Sequence, residues 1–133
     1  FKGLHDDAAT GIFAGRILVE KGAQKTRAYQ SNKNLILTNE AKTRSKPQLE
    51  IYADDVKCSH GSTTGQLDEN ALFYLRARGI SKKEACNMLM NDFAAEIMDK
   101  ITIEPLKEEI AGLVEKRLRG ELSRCNRCTV SCG

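Results

Sequence analysis

The chain has 133 residues, 41% of them hydrophobic and 29% charged, and its 21 basic and 18 acidic side chains leave a net charge of +3. That length fits one domain, or one domain with an appendage. The balanced charge, the lack of any like-charge block and an aromatic content of 5% exclude a surface that tracks nucleic-acid phosphates, and no apolar stretch is long enough for a membrane-spanning helix.

The sequence begins at Phe1 without a methionine, and no charged start leads into an apolar run. We therefore expect a piece of a longer soluble chain, cut on its N-terminal side, with no secretory leader. The five cysteines, Cys58, Cys86, Cys125, Cys128 and Cys132, are odd in number. Without a secretory signal they favour a reduced, cytoplasmic setting over a disulfide framework.

From the start to about Gln66 the pattern has period two. In "GIFAGRILVE", Phe13, Gly15, Ile17 and Val19 alternate with Ile12, Ala14, Arg16 and Leu18. "PQLEIYADD" sets Leu49 and Ile51 against Glu50 and Tyr52, and "VKCSHG" puts Val56, Cys58 and His60 on one face. These stretches are expected to be short strands. Between them "KGAQ", "QSNKN", "TNEAKTRSKP" and "ADD" carry turn-forming residues and are expected to be turns. Few large apolar residues and no crossover helices point to a solenoid, in which each rung buries its face on the next. Residues 1–66 would then hold two or three rungs; a small sandwich stays open as the alternative.

From Leu67 the period becomes helical. Ala71, Leu72 and Leu75 form a stripe, with Asp68 as expected N-cap and Gly79 as expected C-terminal glycine. Ser81 and Glu84 in "SKKE" have the spacing of a reciprocal capping box. Cys86, Leu89, Met90, Phe93, Ala94, Ile97 and Ile101 continue at steps of three and four, which makes Cys86 a core residue. Pro105 opens a third helix striped by Leu106, Ile110, Leu113, Val114 and Leu118, and Gly120 closes it. Residues 67–120 thus form a helical domain, and 121–133 a cysteine-containing tail.

Cys58 and His60 are two apart on a strand, so both side chains reach one space. Both are ligand types for zinc or iron–sulfur chemistry, yet two ligands do not close a site. The alternative is a buried cysteine beside a hydrogen-bonded histidine. A Cys–His hydrolase would need the base in hydrogen-bonding reach of the thiol, which parallel neighbours on one strand do not provide. In the tail, "CNRCTVSC" spaces Cys125, Cys128 and Cys132 as partial metal ligands; the alternative is a loosely ordered tail. His5 in "LHDDAAT", beside Asp6 and Asp7, could meet a cation or belong to a solvated turn. "GIFAG" lacks the Lys-Ser/Thr of a phosphate loop, so the chain is not expected to hydrolyse nucleotides.

The stretch Asp55 to Ala85, "DVKCSHGSTTGQLDENALFYLRARGISKKEA", closely resembles the C-terminal signature of the SufD branch of the SufB/SufD family, scaffold components of the SUF iron–sulfur cluster assembly machinery. The resemblance rests on Cys58-Ser59-His60-Gly61-Ser62-Thr63, Gly65-Gln66-Leu67-Asp68 and Phe73 to Ile80, with Ser62 where the family usually has alanine. It covers roughly Phe13 to Gly120; the sister SufB branch has a Glu-His-Glu-Ala-Thr type turn instead. It implies a right-handed parallel β-helix followed by a small helical domain, and a scaffold without turnover. It also implies pairing with SufB through the β-helix and docking of the SufC ATPase on the helices. In that picture His60, with Cys58 in a lesser role, handles cluster at the SufB interface, and the cluster is met transiently rather than bound tightly. The docking region would include Ser81, Glu84, Met88, Phe93, Ile97, Leu106, Ile110 and Leu113. An isolated piece would expose unpaired strands and form a homodimer. The competing class is a metal-binding module acting through the tail cysteines.

Overall fold

Alternation along "TGIFAGRILV" leaves Gly11, Phe13, Gly15, Ile17 and Val19 less exposed than the residues between them, as a strand with one covered face requires. The structure, a computed structural model, describes residues 1–121, and the chain divides into two compact units, the first ending at Asp68. That first unit holds five strands: β1 (Lys2–His5), β2 (Thr10–Val19), β3 (Arg27–Ile36), β4 (Lys42–Ile51) and β5 (Lys57–Gly65). They form two sheets, one in the order β1-β3-β5 and one pairing β2 with β4. Every pairing is parallel, with Lys2 opposite Lys33, Thr10 opposite Lys42 and Arg27 opposite Lys57. Parallel neighbours need a long connection. Here the strand of the other sheet is that connection, so the chain returns to each sheet after 31, 32 and 30 residues at those three pairs. A sandwich of antiparallel hairpins is not what forms.

Two stretches expected as turns are strands. "QSNKN" is the middle of β3, and Lys42 to Pro47 of "TNEAKTRSKP" open β4. The turn signal came from asparagine, lysine and serine. In β3, however, Gln30, Asn32 and Asn34 recur at period two and face inward, 3–8% exposed. The interior tolerates them because they are bonded: Asn32 Nδ2 donates to Ser45 Oγ at 3.1 Å, and Asn34 Nδ2 to the Thr63 carbonyl at 3.5 Å. His5 likewise is not in a solvated turn. It ends β1, and its Nε2 donates to Asn34 Oδ1 at 3.2 Å. These long polar side chains need space on the opposite sheet. A Cβ at Gly11 would overlap the His5 ring, and one at Gly15 the Gln30 amide. Glycine inside β2 is thus a packing requirement. Val19 is buried in that interior, and at its open end the exposed Phe1 ring lies 4.8 Å from the Phe13 ring. The expected turns at Lys21–Gln24 and Ala53–Asp55 do form, and they stack: Gln24 Oε1 accepts from the Asp55 amide at 2.8 Å.

The second unit begins at Glu69 and has three helices: α1 (Glu69–Ala77), α2 (Lys82–Met98) and α3 (Glu104–Leu118). Gly79, at φ +87°, ends α1 in a left-handed cap, and the amides of Gly79 and Ile80 bond back to Arg76 and Leu75. Gly120 repeats that cap after α3, with φ +77°. Ser81 Oγ accepts the Glu84 amide at 3.2 Å, but the box is only half closed. The Glu84 carboxylate meets Arg119 of α3 at 3.5 Å, because a guanidinium charge competes with the local amide for it. At the α2–α3 corner Lys107 and Asp99 are 3.0 Å apart. The hydrogen bond to Asp99 and the charge attraction between them hold the Lys107 ammonium above the ordinary lysine range, so the lysine keeps its charge at neutral pH and gives it up only in strong alkali. Ala85 and Met90 are buried, while Cys86, expected in the core, is only half-buried.

Candidate functional site

β5 lies at the end of its sheet, with β3 on one side only. Register sets what its residues share: Cys58 is opposite Ala28, and His60 opposite Gln30. Parallel partners project to the same face, so Cys58 and His60 continue the inward face of β3. That face is covered at Gln30 but not at β5, where His60 is exposed and Cys58 half-buried. The sequence expectation of a shared face for Cys58 and His60 matches this register. No hydrogen bond joins the two side chains among the described residues, so they form no nucleophile–base pair. Nor do three or more His, Cys, Asp or Glu side chains gather in a metal-holding group among the described residues. What the site offers is an uncovered imidazole and a free thiol on an edge strand.

The helical residues expected to dock a partner divide by exposure. Met88, Ile97, Leu106 and Leu113 are open apolar side chains on α2 and α3, 40–48% exposed. Phe93 and Ile110 are half-buried. Ser81 serves as the α2 cap and Glu84 pairs with Arg119, so both have structural work of their own. A groove of ≈ 900 Å³ between α2 and α3 is lined by Met88, Met98 and Gly112 together with Glu84, Asp92 and Glu108. Cys125, Cys128 and Cys132 lie outside the described residues. Sequence reasoning missed Gln30, reading it as part of a turn; its signal was the period-two spacing with Asn32 and Asn34.

The parallel strands, the edge that carries Cys58 and His60, and the first part of the helical unit all fall within a match to a family of assembly proteins. The family described as "SUF system FeS cluster assembly, SufBD core domain" matches residues 1–93. The iron–sulfur cluster assembly protein SufD of Escherichia coli is 43% identical over 119 residues, covering 90% of this chain and 28% of that protein. A SufBD family protein of Synechocystis is 42% identical over 116 residues, 87% of this chain and 26% of its own length. SufD of Bacillus subtilis is 33% identical over 117 residues, covering 88% and 27%. The chain belongs to the SufBD family, and it spans about a quarter of the length of these relatives. Among the described residues, no helix is long and apolar enough to cross a membrane.

Proposed function

We propose that this chain is the C-terminal part of a SufD-type scaffold that works in the cytoplasm without catalytic turnover of its own. In this reading the two parallel sheets are the last rungs of a right-handed parallel β-helix, which pairs with SufB. The helices α1–α3 dock the SufC ATPase. The cluster is cargo, met transiently by His60 with Cys58 beside it, and not a resident cofactor. The observation that carries the reading is His60 itself: a histidine left uncovered on the edge strand of a chain 43% identical to a SufD. An imidazole there can offer a nitrogen lone pair to iron. The test is anaerobic reconstitution with SufB and SufC, where cluster should form only with all three proteins present. The purified chain alone should hydrolyse ATP no faster than a buffer blank; hydrolysis above that blank would overturn the non-catalytic reading.

Self-association follows from the same sheet edges. β4 and β5 each end their sheets, and an open strand edge templates pairing. Ile51 is 39% exposed at the end of β4, and half-buried Val56 leads into β5. A second copy can take the place of SufB, and the same patch meeting itself gives two-fold symmetry. Light scattering of the isolated chain at micromolar concentration should report a dimer, weakened by Ile51→Asp or Val56→Asp. A monomer at every concentration would refute it.

A further inference from the structure

We infer that Gln30 is a positioning residue for His60: its side-chain oxygen accepts a hydrogen bond from one imidazole nitrogen and leaves the other as the lone pair offered to the cargo. The inference rests on the role proposed above for His60, and four observations carry it. Gln30 is 8% exposed, and its Oε1 is a buried side-chain oxygen with no hydrogen-bond partner among the described residues. An unmet buried acceptor costs about 1–3 kcal/mol, so its retention calls for a reason. Gln30 and His60 are register partners on neighbouring parallel strands. Their backbones are therefore about 4.8 Å apart with side chains on one face, within reach of a glutamine amide and an imidazole. A related contact exists on the other side of the same sheet, two residues out of register, since Asn34 is opposite Gly3 and His5 opposite Ile36. There an inward histidine of β1, His5, donates from Nε2 to an inward amide of β3, Asn34 Oδ1, at 3.2 Å. β3 is the central strand of the sheet, so the outer two of its three inward amides lie next to the strands that carry the two histidines of the chain, one bond made and one acceptor open. Finally, Gly15 on the facing strand leaves the room that the Gln30 amide occupies. The amide is held in the interior while the exposed His60 ring is the part able to turn toward it.

A neutral imidazole has one N–H and one bare nitrogen, and the hydrogen bond to the N–H decides which is which. A free ring divides between its two tautomers. A ring bonded to Gln30 does not, and it presents its lone pair in one direction. Histidine-labelled nitrogen NMR on the intact protein, above the pH range in which histidine is protonated, reads the tautomer directly. We expect one dominant tautomer at His60 in the wild type. Gln30→Leu should return it to the mixture of a solvated ring, and Gln30→Glu, which keeps an acceptor, should preserve the single form. Mixed tautomers in the wild type, or a single form unchanged in Gln30→Leu, would overturn the inference. If Gln30→Leu does not fold, the wild-type and Gln30→Glu spectra decide, and a mixture in either sinks it. Cluster formation with SufB and SufC separates this bond from the reading beneath it. Gln30→Leu should slow assembly several-fold where His60→Ala stops it. Full activity of His60→Ala alongside the expected spectra would leave the bond standing and remove the role of His60.

Discussion

His60→Ala is expected to leave the chain folded and to stop cluster formation in the complex with SufB and SufC. Folding should survive because His60 is exposed, has no hydrogen-bond partner among the described residues and lies on an edge strand. Surface substitutions usually change stability by about 0.5 kcal/mol or less, and the Gln30 oxygen that the ring would leave unmet adds about 1–3 kcal/mol, a cost short of unfolding. Function should not survive because the imidazole is the group at this edge best suited to offer a nitrogen ligand to the cargo. Its neighbour Cys58 is half-buried, and Cys58→Ser should have the smaller effect. Thermal melting and anaerobic cluster assembly, measured on the same preparation, check both halves. A variant that assembles cluster normally, or that melts far below the wild type, contradicts the assignment.

The second large effect is expected on the helices. Replacing Met88, Ile97, Leu106 and Leu113 together by aspartate should abolish capture of SufC while α1–α3 persist. All four are 40–48% exposed, so the charges are tolerated in the free chain. In a docked complex each aspartate would be stripped of water against an apolar partner. Central contacts of an interface carry about 2 kcal/mol or more apiece, and every 1.4 kcal/mol is a factor of ten in affinity. Three or four such losses exceed what a pull-down can detect. Circular dichroism should show unchanged helix content, and undiminished capture of SufC would move the docking surface elsewhere.

The helical unit was readable in the sequence because its signals are local. Gly79 and Gly120 sit in the left-handed caps their positions predict, and Pro105 lies in the first turn of α3. The Ser81–Glu84 box shows the limit of such signals. Spacing finds the serine cap, but the partner of Glu84 is Arg119, 35 residues away. In the strands, β2 is plain from its alternating apolar residues, while the middle of β3 and the start of β4 carry turn signals. Their inward positions are polar, and bonds such as those from Asn32 to Ser45, from His5 to Asn34 and from Asn34 to the Thr63 carbonyl make such an interior affordable. Those partners come from other strands, so nothing within "QSNKN" announces them. The shared face of Cys58 and His60 followed from spacing alone; the pairing of His60 with Gln30 needed the register.

The return of the chain to each sheet after 30–32 residues makes the unit modular in length. Deleting Ser31 inside β3 would swap the faces of the residues after it, driving Lys33 inward and turning Asn32 and Asn34 out. Deleting a whole period would instead keep every face and simply remove one layer. Distances along the stacking direction can therefore change only in steps of about 4.8 Å. Whatever lies a given number of layers from His60 is held at a quantised separation from it, and natural length variation in this part of the protein should come in multiples of a full turn.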